Sequence, residues 1–238
     1  ESGRIENYHN IAVRQWIGSE TVASEVVVNG GEIYGIRAIW MQLPNGDTSK
    51  APKGILTING GALSAWENAP EYDSENKLAV YSYSYGNQMK NVEINVAGGT
   101  INGDIALTGG RSGAKVDVEK VTVTGGVFNG YDGDLYSYAS DELAAPAITI
   151  KGGQFSSLYP MTYLNAADEV VTLKDNLTLT EPVTFNGVGT LDLNGKTLAG
   201  ESETTGKNYD MIDVRGTLTV SNGTITAEFK GENMGWNH

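Results

Sequence analysis

Two stretches of the chain set aromatic rings beside carboxylates. The first holds Trp66, Tyr72, Tyr81, Tyr83 and Tyr85 among Glu67, Glu71, Asp73 and Glu75. The second holds Tyr131, Tyr136 and Tyr138 among Asp132, Asp134, Asp141 and Glu142. Rings flanked by carboxylates and amides suit sugars, whose faces stack on aromatic planes while their hydroxyls hydrogen-bond to the polar groups. These eight aromatic residues are the candidate ligand-binding set. The alternation at 81, 83 and 85 has a second reading: one more strand that packs its loop against the body of the protein.

Asp132-Gly133-Asp134 looks like a fragment of a calcium loop, with hard oxygen ligands held close around a flexible glycine. No glutamate completes the pattern, so a turn with solvated carboxylates is the simpler reading; calcium is the one cofactor weighed, with Asp132 and Asp134 as its candidate ligands. Catalytic constellations are missing from the sequence. The two histidines, His9 and His238, stand at opposite ends of the chain, and there is no cysteine for a thiol nucleophile or a Cys-x-x-Cys metal site. Gly187-Val188-Gly189 is too short for a dinucleotide fingerprint, and no glycine-rich loop ends in Lys-Ser or Lys-Thr. No catalytic residue is assigned.

The elements that must position the aromatic stretches come from a repeat. Seven copies read VVVNGGEIYG (26–35), LTINGGALSA (56–65), INVAGGTING (94–103), VTVTGGVFNG (121–130), ITIKGGQFSS (148–157), LDLNGKTLAG (191–200) and LTVSNGTITA (218–227). Aligned on Gly30, Gly60, Gly98, Gly125, Gly152, Gly195 and Asn222, every copy is aliphatic two and four residues earlier, the alternation of a strand with one buried face. Three residues later the column is again apolar: Ile33, Leu63, Ile101, Phe128, Phe155, Leu198, Ile225. Each copy therefore reads as a strand, a tight bend and a second short strand, with glycine or asparagine supplying the bend's backbone freedom. From bend to bend the spacings are 30, 38, 27, 27, 43 and 27 residues, as expected of a solenoid whose insertions enter at one part of the unit. A sandwich of hairpins is the alternative, but it does not explain why the same columns recur.

VTVTGGVFNG, ITIKGGQFSS and above all TLDLNGKTLAG followed by GTLTVSNGTITA resemble the repeats of pectate-lyase-like, right-handed parallel β-helix domains of bacterial secreted and cell-surface proteins. The resemblance spans roughly residues 20–230. It implies an all-β, single-stranded parallel β-helix and an extracellular or cell-surface home. Such domains include adhesins, stalks, lyases and hydrolases, so the resemblance does not fix an activity. The Asn-Thr-Asp, Gly-Asp-Asp and Gly-His-Gly motifs of polygalacturonase-like enzymes are missing. The outward position three before the bend reads Val27, Thr57, Asn95, Thr122, Thr149, Asp192, Thr219, with one carboxylate where paired acids would be needed for glycoside hydrolysis. A non-catalytic, adhesin-like stalk or presentation module is the expectation, with a divergent polysaccharide lyase or glycoside hydrolase as the alternative.

A net charge of −13 disfavours nucleic acid and anionic membrane, which select clustered Lys and Arg. No apolar run approaches the length of a membrane span. Expected partners are a glycan or a surface protein, and open strand edges at the ends of the rod invite end-to-end self-association. The chain is expected to be a single β-helix domain over 1–238, a piece of a larger exported protein. Residues 1–25 should form a cap or an atypical first rung in which Trp16 covers the core. Residues 66–91 and 131–147 are read as insertions, and the 43-residue gap before Gly195 leaves room for an additional rung built from VVTLKDNLTL and PVTFNGVG. Eight or nine rungs about 4.8 Å apart make a rod on the order of 40 Å long.

Overall fold

The computed structural model describes residues 3–18, 21–42, 53–66, 77–82, 92–107, 120–131, 133–137, 146–202 and 211–229. The path opens with β1 (Arg4–Asn7) and β2 (Val13–Trp16). Four coils of three strands follow. They are β3 (Ser24–Val28), β4 (Glu32–Gly35) and β5 (Ile39–Gln42), then β6 (Gly54–Ile58), β7 (Ala62–Ala65) and β8 (Leu78–Ser82). Next come β9 (Val92–Val96), β10 (Thr100–Asn102) and β11 (Asp104–Leu107), then β12 (Lys120–Val123), β13 (Val127–Asn129) and β14 (Leu135–Ser137). After β15 (Ile148–Ile150) and β16 (Gln154–Phe155), a short 3₁₀ helix, Tyr159–Tyr163, stands where a third strand would be. The path ends through β17 (Asn165–Leu173), β18 (Leu177–Leu179), β19 (Val183–Phe185), β20 (Val188–Asp192), β21 (Thr197–Ser202), β22 (Ile212–Val214), β23 (Thr217–Ser221) and β24 (Thr224–Phe229).

The strands stack into parallel sheets, and the molecule is a parallel β-helix. The long sheet orders β1-β4-β7-β10-β13-β16-β17-β20-β23. The second sheet is β14-β11-β8-β5-β2, and the third is β15-β12-β9-β6-β3. Two small sheets, β18-β21-β24 and β19-β22, complete the C-terminal end. Register is strict where the repeat is strict. Val28, Ile58, Val96, Val123 and Ile150 pair in line along the third sheet. Ile33, Leu63, Ile101 and Phe128 pair along the long sheet, and the Phe128 ring stacks on Phe155 at 4.6 Å. All are buried, and each side chain withdrawn from water contributes about 1.5–3 kcal/mol.

The paired glycines serve two purposes. The second of each pair, Gly31, Gly61, Gly99, Gly126 or Gly153, has φ between +79° and +97°, a region that costs an L side chain energy. The first is small because the coils approach closely: a Cβ on Gly98 would lie 2.6 Å from the Asn59 carbonyl oxygen of the preceding coil.

Three sequence expectations need correction. The copies hold two strands each, but these coils have three. The stretches read as insertions contain β8 and β14, regular members of the second sheet, because a variable segment precedes each and removes it from any alignment on the bend. The motif also changes face. In the first five copies the bend joins the third sheet to the long sheet; in the last two, β20 and β23 precede the bend within the long sheet and β21 and β24 follow it elsewhere. The outward column from Val27 to Thr219 therefore divides between two faces. Finally, Trp16 is 51% exposed, and its neighbour Ile17 is the residue that fills the core. The irregular stretch before Gly195 does hold extra strands: Val171 pairs with Leu191, and Leu177 with Leu198.

Candidate functional site

Position four after the bend points outward on the long sheet. It carries Tyr34, Ser64, Asn102, Asn129 and Ser156 in the first five copies. Tyr34 pairs with Ser64, Ser64 with Asn102 and Asn102 with Asn129, so the strands place these side chains in one file. The file is hydrogen-bonded along its length: Asn102 Nδ2 donates to Ser64 Oγ at 2.9 Å, and Asn129 Nδ2 donates to Asn102 Oδ1 at 2.7 Å. Asn129 Oδ1 is buried and accepts no hydrogen bond within the protein. The file floors an open groove of about 490 Å³, with Glu32 and Tyr34 at one end, Ser156 and Lys174 at the other, and Tyr131 at its side.

The groove lies against the corner where the long sheet turns toward the second. Two residues beyond Ser64 stands Trp66, and two beyond Asn129 stands Tyr131, so both residues stand at the same corner two strand spacings apart, about 10 Å. Trp66 is fixed by its backbone N–H, which donates to the Gly35 carbonyl at 2.7 Å. Tyr131 is 45% exposed, and the Lys77 ammonium sits 4.1 Å from its ring centre.

Two fully buried carboxylates hold this corner. Asp104 Oδ1 accepts from the backbone N–H groups of Tyr131 (3.0 Å), Gly133 (3.3 Å) and Asp134 (2.9 Å). Asp134, itself at φ +65°, accepts from Gly130 N at 2.7 Å, Ser156 Oγ at 2.6 Å and Ser157 N at 2.7 Å. Gly130 is required here because a Cβ would collide with the Asp104 carboxylate and the Asp134 backbone. The pair thus fixes the backbone that carries Tyr131. Asp134 was a candidate calcium ligand, yet its oxygens already accept three donors, and its proposed companion Asp132 lies outside the described residues. No group of three His, Asp or Glu side chains arranged to hold a metal occurs among the described residues.

The remaining members of the aromatic set separate. Tyr81 is 4% exposed, packed in the second sheet with Trp40, Leu78 and Ala106 beneath the Arg37 guanidinium at 4.4 Å. That is the packing alternative for this tyrosine. Tyr136 lies on β14, in register with Ala106; its side chain, like the whole of Tyr72, Tyr83, Tyr85 and Tyr138, lies outside the described residues. Of the eight, Trp66 and Tyr131 are the two that the described structure brings to one edge. The groove residues Tyr34, Ser64, Asn102 and Asn129 were missed. Their signal is present in the sequence: between the apolar column three after the bend and the small residues five after it (Gly35, Ala65, Gly103, Gly130, Ser157), the column at four is this file.

Charge at the two ends of the groove is paired. Arg4 Nε lies 3.2 Å from Glu32, and Lys174 Nζ lies 2.7 Å from Asp175. The hydrogen bond from Lys174 holds the Asp175 carboxyl below the usual carboxylate range. Farther along the rod, burial pushes the Tyr163 phenol well above its ordinary value, with Tyr159 adding to the effect. Its oxygen accepts from Ser137 N at 3.1 Å and ties the 3₁₀ helix to β14. No helix among the described residues is long and apolar enough to cross a membrane. Comparison with family models, with curated proteins and with solved structures finds no match for this chain.

Proposed function

We propose that this protein is a non-catalytic recognition module of the adhesin-like kind, working at a bacterial cell surface or outside the cell. In this reading the β-helix is a rigid stalk that presents one corner to a glycan. The observation that supports it is Tyr131 at the side of a groove floored by hydroxyls and amides, with Trp66 at the same corner two strands away. Aromatic planes beside convergent hydrogen-bonding groups match the two needs of sugar binding, stacking and hydroxyl recognition. The pectate-lyase-like likeness of the repeats supports an exported setting.

The lyase or hydrolase alternative draws less support from the same corner. Asp104 and Asp134 are adjacent carboxylates, the raw material of glycoside hydrolysis, but both are buried and each accepts three donors from the surrounding chain. Groups engaged in this way hold a turn rather than relay protons. The test is a glycan-array screen of the wild type beside Trp66→Ala and Tyr131→Ala, with folding matched by circular dichroism. Specific binding weakened at least about tenfold in both variants, each tenfold being about 1.4 kcal/mol, is the expected result. Binding to the array that neither substitution weakens would overturn the assignment of this corner, and release of cleaved sugar from a bound glycan would overturn the non-catalytic reading.

A further inference from the structure

Resting on that reading, we infer that the groove takes an uncharged, linear glycan laid parallel to the axis of the solenoid, with one sugar ring over each coil. The first support is spacing. The file from Tyr34 to Ser156 crosses β4, β7, β10 and β13 and ends one residue past β16, with Ser64, Asn102 and Asn129 as its hydrogen-bonded centre. Parallel strands lie about 4.8 Å apart, a repeat close to the advance of one pyranose ring in an extended β-linked chain. A glycan along this line meets equivalent groups at each step; one running across it meets a single strand and then the corner.

The second support is charge. The centre of the file is amide and hydroxyl. The charged residues lining the groove are at its ends, and each is answered: Glu32 by Arg4, and Lys174 by Asp175. A polyanionic glycan would find one cation at the side of the groove, the Lys77 ammonium already seated on the Tyr131 ring, and it would approach a chain of net charge −13. Neutral hydroxyls suit the Ser64 end of the hydrogen-bonded file. The Ser64 hydroxyl accepts from Asn102 and keeps its own proton to donate, while Asn129 Oδ1 is an acceptor the fold leaves unsatisfied.

The test is calorimetric titration of the full chain with β-1,4-linked gluco-, manno- and xylo-oligosaccharides of one to six rings, against oligouronates of the same lengths. At least one neutral series should gain affinity with each added ring up to about four and then level off. Uronates of equal length should bind at least tenfold more weakly, and Asn102→Ala and Asn129→Ala should each weaken the neutral tetramer about tenfold. The length series uses the wild type alone, so it decides the matter even if a variant folds poorly. Affinity that does not rise with length, or uronates that bind as tightly, would overturn this inference while leaving glycan recognition standing. A wild type that binds no glycan in this series or on the array would sink both.

Discussion

The two ends of this rod are built from the same repeat and differ in what the repeat is used for. In the first five copies the bend is a true glycine pair, three strands line each complete coil, and the outward face of the long sheet carries the polar file. In the last two copies asparagine enters the bend, with Asn194 at φ +51° and Asn222 at φ +57°, and the motif turns a different corner. The outward groups of the long sheet are there Thr190, Asp192, Thr219 and Ser221, and Asp192 continues the column of Gln154 and Thr172, not that of the polar file. The last described coil also has a neighbouring coil on one side alone. Phe185, Leu191 and Leu198 are fully buried, but their register partners in the last coil, Val214, Val220 and Ile225, are 46%, 39% and 49% exposed. One local pattern thus builds both the stretch that carries the polar file and a stretch with other outward groups. The difference lies in the outward positions and in which corner the bend occupies.

Core truncation gives the largest expected contrast between the two regions. Phe155→Ala removes a ring stacked on Phe128 inside the tight stack and should cost about 3–5 kcal/mol. Ile225→Ala in the last coil should cost under about 1 kcal/mol, since half of that side chain is already in water. Denaturant titration of both variants checks the pair, and equal losses would mean that the last coil is as well packed as the rest.

The buried carboxylates come next. Asp104→Ala leaves three backbone N–H groups of the Tyr131 turn without an acceptor, at roughly 1–3 kcal/mol for each one that water does not reach. Asp192→Ala, at the corresponding bend of the open region, removes an exposed acceptor for Asn194 N and Asn222 Nδ2 and should cost well under about 1 kcal/mol. Thermal unfolding of the two variants side by side measures the difference.

The bends sharpen the comparison further. Gly98→Ala forces a Cβ against the Asn59 carbonyl and should destabilise by about 1–3 kcal/mol. Gly195→Asn meets open space, and asparagine tolerates its φ of +74°, so the loss should stay under about 1 kcal/mol. If Gly98→Ala proves as mild as Gly195→Asn, the close approach of the stacked backbones is not what selects the first glycine.

The smallest effect is a pH dependence at the junction of the two regions. Lys151 Nζ donates to Asp168 at 2.6 Å, which holds that carboxyl below its usual range. A depressed folded-state value stabilises above the unfolded pKa, about 3.9, and that contribution disappears as pH falls through the folded value. Lys151→Gln should therefore lower the melting temperature slightly near neutral pH and not at all at strongly acidic pH. Both groups are solvent-exposed, so the difference is small. A gap that persists in acid would show that Lys151 acts through packing instead.

Much of this architecture was legible from the residues. Aliphatic positions two and four before each bend, together with Phe128 and Phe155 after it, specify a one-sided strand pattern that only stacking can bury. VVTLKDNLTL was readable as an extra strand pair even with Asp175 in place of a bend glycine. The third strand was legible in part, as the alternation at 81, 83 and 85 that overlaps β8; its recurrence in each coil was not, because segments of unequal length separate β8 and β14 from the bend that serves as the ruler. The change of face was hidden for a related reason: a local motif records that the chain turns, not which corner of the coil it turns. At the site, Trp66 and Tyr131 stood out by type, and their shared corner followed from equal spacing after the strand. Tyr81 did not separate from them by composition, since only the cover over the second sheet makes its ring a core group. The polar file escaped notice because Ser64, Asn102 and Asn129 are ordinary residues taken singly and acquire meaning only in register.

The most direct test of the account follows the asparagine side-chain amides by NMR during titration with a glycan that the wild type binds. Recognition by the tight region alone predicts that the Asn102 and Asn129 side-chain signals and the Tyr131 backbone signal move together and saturably. The amides of Thr190, Asp192 and Thr219, on the plain stretch of the same long sheet, should stay where they are. Shifts concentrated on Thr190, Asp192 and Thr219, with Asn102 and Asn129 unmoved, would contradict the account.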